Sequence, residues 1–205
     1  MSTVLQEAWH IAWQALGAAP PAGVHEALLA AYREPQRHYH TLQHLEECFA
    51  LALPLRPRMD RPAELLLALW FHDAVYDVQG RDNEARSADW ADRVMREAGL
   101  GQDGRTRVRE LIMATCHDAL PASNDAAILT DIDLAILAAP PERFAEYEQQ
   151  IRAEYAWVPD DVFAVKRREV LLGFLRREHI YGLPALRERF EAAARRNLVA
   201  ATEAH

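Results

Sequence analysis

Cysteine is scarce in this chain: only Cys48 and Cys116 among 205 residues, far apart and without CxxC spacing. A disulfide framework is therefore not expected, and the pair reads as free thiols in a reducing compartment. No apolar run approaches the roughly 20 residues needed to span a bilayer. The opening stretch, Met1-Ser2-Thr3-Val4-Leu5-Gln6-Glu7, lacks the basic-then-apolar pattern of a secretory signal. The expectation is a soluble, cytoplasmic protein with no membrane partner. Basic charge is in deficit too, 23 Lys and Arg against 31 Asp and Glu, for a net charge of −8. Binders of polymeric nucleic acid carry basic faces, so this balance argues against such a partner. A small phosphorylated substrate stays open, because a bound metal can supply positive charge locally.

β-branched residues are sparse while Ala and Leu dominate, a helical composition, and half of the residues are apolar or aromatic, enough for a sizeable core. No segment reads as a strand, and no internal repeat or long linker separates domains. The expected fold is a single all-α domain over 1–205, a helical bundle. Its core would span about 36–138, with C-terminal helices over 141–199.

Periodicity predicts a helix over 3–16 stopped by Gly17, with Trp9 and Trp13 in the core, and a second from Val24 to Tyr32. A third begins near Thr41 and carries Leu42, Leu45, Cys48, Phe49 and Ala52 on its apolar face. Pro62 opens a helix that is apolar almost all round and ends near Tyr76, the expected central helix. Further helices are predicted over Glu84–Ala98, Arg105–Cys116, 126–138, 141–155, 159–178 and 184–199. Lys166-Arg167-Arg168 reads as a solvated face.

Histidine and carboxylate stand out against this apolar frame. His72 and Asp73 adjoin where the run Leu65–Phe71 ends, and polar groups at a core edge are costly unless something pairs with them. His38, His40 and His44 cluster at the start of the third helix. Asp131 and Asp133 share one helix about 200° apart, so only one of them faces a given site. The apolar neighbours Leu129, Ile136 and Leu137 mark Asp133 as the inward one. His44, His72, Asp73 and Asp133 form the candidate ligand set, two imidazoles and two carboxylates. They suit one divalent ion: Mn, Fe, Co, Ni, Zn or Mg. A bundle delivers such ligands from several helices to one core site. A lone His-Asp dipeptide, by contrast, is common and carries little weight.

The order His44, His72-Asp73, Asp133, spaced by 28 and 60 residues, resembles the HD-domain superfamily of metal-dependent phosphohydrolases. Tyr39-His40-Thr41-Leu42-Gln43-His44-Leu45, Trp70-Phe71-His72-Asp73-Ala74-Val75-Tyr76-Asp77, Asn83-Glu84-Ala85-Arg86-Ser87-Ala88 and Asp131-Ile132-Asp133-Leu134-Ala135-Ile136-Leu137 are similar to a bacterial subgroup described as predicted HD phosphohydrolases. So are Ile151-Arg152-Ala153-Glu154-Tyr155 and Ala194-Arg195-Arg196-Asn197-Leu198. The resemblance runs from about Tyr32 to Leu198. It implies an HD-type helical fold, Asp133 as the last ligand, and hydrolysis of a small, nucleotide-like phosphoester by a metal-activated water. Two positions depart from the pattern: Ala138 stands where the subgroup tends to have Gly, and His117-Asp118 where it often has paired histidines.

On this reading Glu84, whose Asn-Glu-x-x-Ser context resembles a site-facing position, or Asp77 orients water or moves a proton. Glu84 equally suits a first-turn carboxylate interacting with its helix dipole. His40, His117 and Asp131 would support the ligands or bind a second ion, and Arg37 and Arg81 would clamp phosphate. Two alternatives accompany it: a di-iron HD-type oxygenase, or a metal- or nucleotide-binding regulatory module without turnover.

Overall fold

The computed structural model describes residues 2–204, and Met1 and His205 lie outside them. The described residues form an all-α protein without strands. Two compact units divide the chain, one ending at Ile132 and the other beginning at Asp133.

The first unit holds α1 (Thr3–Leu16), α2 (Val24–Ala31), α3 (Leu42–Leu55), α4 (Pro62–Phe71), α5 (Asn83–Glu97), α6 (Gln102–Met113) and α7 (Asn124–Asp133), whose last residue opens the second unit. Gly17 stops α1 in the left-handed region at φ 67°, where glycine carries no Cβ penalty. At the centre is α4. Every residue from Glu64 to Phe71 is buried, and α1, α3, α5 and α6 pack around it. Burying each of its leucines contributes roughly 1.5–3 kcal/mol, so this helix anchors the others.

The predicted continuation of α4 to Tyr76 does not occur: the helix ends at Phe71 and gives way to turns. The carbonyls that would otherwise continue the helix have other partners. Leu69 O lies 2.8 Å from His72 Nδ1, the Tyr32 hydroxyl donates to Trp70 O at 3.2 Å, and Ala74 N donates to Phe71 O at 3.0 Å. Helix ends need such substitutes for the missing intrahelical donors.

Helix α7 starts beside the start of α4. The Asp125 carboxylate accepts the backbone N–H groups of Asp60 and Arg61, both at 2.8 Å, and Asn124 Nδ2 donates to Arg58 O at 2.9 Å. Both helices are ten residues long, about 15 Å each. Two helices tied together at their starts thus carry His72 and Asp133 at their far ends.

The second unit holds α8 (Pro141–Glu154), α9 (Asp160–Leu175) and α10 (Pro184–Ala204) after a 3₁₀ turn over Leu134–Ala138. Tyr181 donates its hydroxyl to Leu134 O at 3.0 Å, and Asn197 Nδ2 donates to Leu137 O and Ala139 O, both at 2.9 Å. That turn is therefore fastened directly after Asp133. Arg167, expected on a solvated face, is 8% exposed: its Nε donates to Glu148 at 3.1 Å and its guanidinium lies over the Tyr147 ring. No described helix is long and apolar enough to cross a membrane.

Asp125→Ala removes two charge-assisted hydrogen bonds that align α7 with α4. The expected outcome is a loss of about 1.5–3 kcal/mol of unfolding free energy, read by urea denaturation. An unchanged midpoint would show that the tie contributes nothing.

Candidate metal centre

Thr41 sets the start of α3. Its backbone is extended and its hydroxyl accepts the Gln43 N–H at 3.3 Å, so the helix begins at Leu42. His44 then falls in the first turn and Cys48 one turn later on the same face. Leu45, Phe49 and Ala52 share that face and bury it, which carries both polar side chains inside: His44 and Cys48 are each 2% exposed.

His72 arrives from the end of α4 and is 1% exposed. Its Nδ1 lies 2.8 Å from Leu69 O. A carbonyl oxygen only accepts, so Nδ1 carries a hydrogen, and Nε2 is the nitrogen turned toward the other donors. That Nε2 faces His44 Nε2 at 3.1 Å. Two imidazole nitrogens at this separation need one hydrogen, or one cation, between them.

The donors extend beyond the imidazole pair. His44, Cys48, His72 and Asp133 each offer one ligand atom, and these atoms all lie within 4.8 Å of one another. Asp73 borders the same nitrogens: its Oδ2 is 3.0 Å from His72 Nε2 and 3.5 Å from His44 Nε2, with the side chain 18% exposed. Burial alone would raise the Asp73 carboxyl. The His72 and His40 rings and hydrogen bonding to His44 and His72 outweigh it, holding the group well below the usual carboxylate range. Buried imidazoles, a thiol and carboxylates converging on one point are a chemical fit for a first-row divalent cation.

The Asp-x-Asp pair divides as its helical geometry requires. Asp133 supplies an oxygen to the group, while Asp131, 2% exposed, stands outside it. Sequence reasoning assigned Cys48 to the apolar face alone. The signal available was its i+4 spacing from His44 on a helix.

Arg37 is turned inward. Its side chain is fully buried, donating to Asp73 O at 2.6 Å, Ala74 O at 3.0 Å and His40 O at 3.3 Å, and pairing with Glu34 at 3.0 Å. The guanidinium also lies over the Tyr32 and Tyr76 rings. These donors hold the backbone of the His-Asp turn, a different use from the phosphate clamp the sequence suggested. Arg81 is exposed on the loop before α5. The His40 ring stacks on Tyr76 at 4.2 Å, with its centroid 6.0 Å from that of His44, so it flanks the centre.

The other expected groups sit elsewhere. Asp77 organises a turn: its carboxylate accepts the Gln79 N–H at 2.9 Å, while Asn83 bridges its backbone N–H and carbonyl. Glu84 lies beside the Cys116 thiol, which burial and then the charges of Glu84 and Asp118 push up to about 11. His117 follows with a left-handed backbone, φ 57°. A cavity of about 740 Å³ is lined by Arg61, Glu64, Arg107, Cys116, Leu120 and Asp125 among others, and none of the four clustered donors borders it. It is a separate hollow.

Arg37→Met leaves interior carbonyls without their donor, at roughly 1–3 kcal/mol for each one left unpaired. It should lower the denaturation midpoint and weaken divalent-metal affinity together. Arg37→Lys should rescue only in part, because an ammonium lacks the planar fork. Wild-type stability and metal affinity in Arg37→Met would overturn this role.

Comparison of the chain with models of known protein families, with curated proteins and with solved structures finds no match.

Proposed function

We propose that the chain is a metal-dependent phosphohydrolase of the HD type, acting on a small, nucleotide-like phosphoester. The observation carrying this reading is the facing pair of buried imidazole nitrogens, 3.1 Å apart, with carboxylates of Asp73 and Asp133 beside them. The order of these residues along the chain is the one by which the sequence resembles HD-domain phosphohydrolases.

His44, His72, Asp73 and Asp133 would hold the ion. A divalent cation bound there supplies Lewis acidity toward a phosphoryl oxygen and acidifies water near neutral pH. The protein's own part is positional. Leu69 O selects the His72 tautomer that presents Nε2. Arg37 holds the turn that carries Asp73. With 18% of its side chain exposed, Asp73 is a carboxylate next to the imidazoles that solvent and substrate can reach, and Asp133 is part-exposed as well. Neither Glu84, engaged with Cys116, nor Asp77, engaged in its turn, is assigned a proton-transfer step.

A second reading rests on the burial of His44, Cys48 and His72 together with Asp133: four donors can close a tetrahedral shell, as structural metal sites do. That reading is a metal-stabilised module without turnover.

The purified protein should bind a divalent ion and hydrolyse members of a phosphomonoester and phosphodiester panel supplemented with Mn²⁺, Co²⁺, Zn²⁺ or Mg²⁺. His72→Ala should lose both metal, by elemental analysis, and activity, while keeping its helical circular dichroism. Full metal content and turnover in His72→Ala would sink the assignment. Stoichiometric metal with no hydrolysis across the panel would favour the structural reading. Acidification should release the ion, because imidazoles bind metal only when neutral.

A further inference from the structure

Cys48 is the least explained member of the donor group. Free cysteines are often buried simply as small apolar side chains, and Leu45, Phe49 and Ala52 around it on α3 would suit that role. Its sulfur, however, faces polar atoms. Cys48 Sγ lies 3.7 Å from His44 Nε2 and 3.8 Å from His44 Nδ1, and within 4.8 Å of donor atoms on His72 and Asp133. Cys48 forms no disulfide, so its sulfur is free to act as a donor.

The nitrogen separation suits shared coordination, and the sulfur stands within reach of the same point. Zinc–sulfur bonds of about 2.3 Å and zinc–nitrogen bonds of about 2.0–2.1 Å, opened by about 90–110°, put sulfur and nitrogen about 3.1–3.6 Å apart and two nitrogens about 2.9–3.4 Å apart. The observed His44–His72 nitrogen separation of 3.1 Å falls inside that range. The Cys48 sulfur, at 3.7 and 3.8 Å from the two His44 ring nitrogens, lies beside the ring, and a turn of the Cys48 or His44 side chain brings it to the ion. Moreover, α3 delivers His44 and Cys48 from successive turns of one buried face, so no rearrangement of the backbone is needed to aim both at the same point.

We infer that, given the metal-binding reading proposed above, Cys48 is a sulfur ligand to the same ion. The centre is then a mixed nitrogen–sulfur–oxygen site selective for zinc-class ions, Zn²⁺ or Co²⁺, over Mg²⁺. Thiolate is a soft donor that favours these ions and offers nothing to hard magnesium, which prefers oxygen. With Asp73 and Asp133 supplying oxygen, the protein provides a donor set that an all-oxygen magnesium site would not contain.

Cobalt provides the test, because thiolate bound to Co²⁺ absorbs by charge transfer in the near ultraviolet whereas nitrogen and oxygen ligands alone do not. The metal-free full chain titrated with Co²⁺ should bind one ion and develop that band. Cys48→Ser should bind one Co²⁺ without the band. Its Zn²⁺ affinity should fall at least about tenfold, the lower end of what even groups behind the ligands contribute, with Mg²⁺ affinity unchanged. One Co²⁺ bound by the wild type with no charge-transfer band would overturn sulfur ligation and leave the metal reading standing. No Co²⁺ or Zn²⁺ bound by the wild type would overturn both. If Cys48→Ser fails to fold, Cys48→Ala serves as the second variant. The wild-type spectrum decides the question in either case.

Discussion

A helix buried on every side must end without leaving its carbonyls bare in the core, and the end of α4 is where this protein meets that constraint. The solution is made of side chains. Tyr32 from just after α2 takes Trp70 O, His72 bends back to Leu69 O, and the buried Arg37 takes the carbonyls of Asp73 and Ala74 beyond the helix. The last two of these contacts also serve the site. The bond to Leu69 O fixes which nitrogen of His72 turns toward the other donors, and the Arg37 contacts hold the turn from which Asp73 reaches the two imidazoles. Satisfying the backbone and aiming the donors are one operation here.

The same economy applies to α7. Asp125 and Asn124 hold its start against residues 58–61 ahead of α4, and Asp133 is its last residue. Helix α3 needs less help: the Thr41 cap sets its register, and the burial of Leu45, Phe49 and Ala52 carries His44 and Cys48 inward with them. Three helices contribute to the donor group, each oriented by a contact at one of its ends or by a buried face. The polar cluster is affordable in the interior because its members pair with one another.

Much of the helical organisation was readable from apolar spacing and stop residues. The bounds of α1 coincide with the predicted span, and Gly17 and Gly99 adopt the left-handed backbone expected after a helix. Residue types and order also brought His44, His72, Asp73 and Asp133 together as candidates. The misreadings share a cause. Ala74-Val75-Tyr76 resume a helix-compatible pattern after His72-Asp73, yet Arg37, far away in sequence, takes the carbonyls of Asp73 and Ala74. Arg37 reads as a phosphate clamp in the sequence because nothing local announces that its guanidinium is buried against backbone 36 residues away. Glu84 carries a suggestive context, but what it meets is Cys116.

Periodicity and capping are local matters, so the chain's composition and spacing were sufficient for an all-α protein and for the residues able to ligate an ion. Direction and distance are not local. Although Asp133 is already separable from Asp131 by its apolar helix neighbours, only packing brought His44 Nε2 and His72 Nε2 to 3.1 Å and added the Cys48 sulfur to them. It did so because a side chain's partners are set by which helices touch and at what register, and those choices depend on burying α4 from all sides at once.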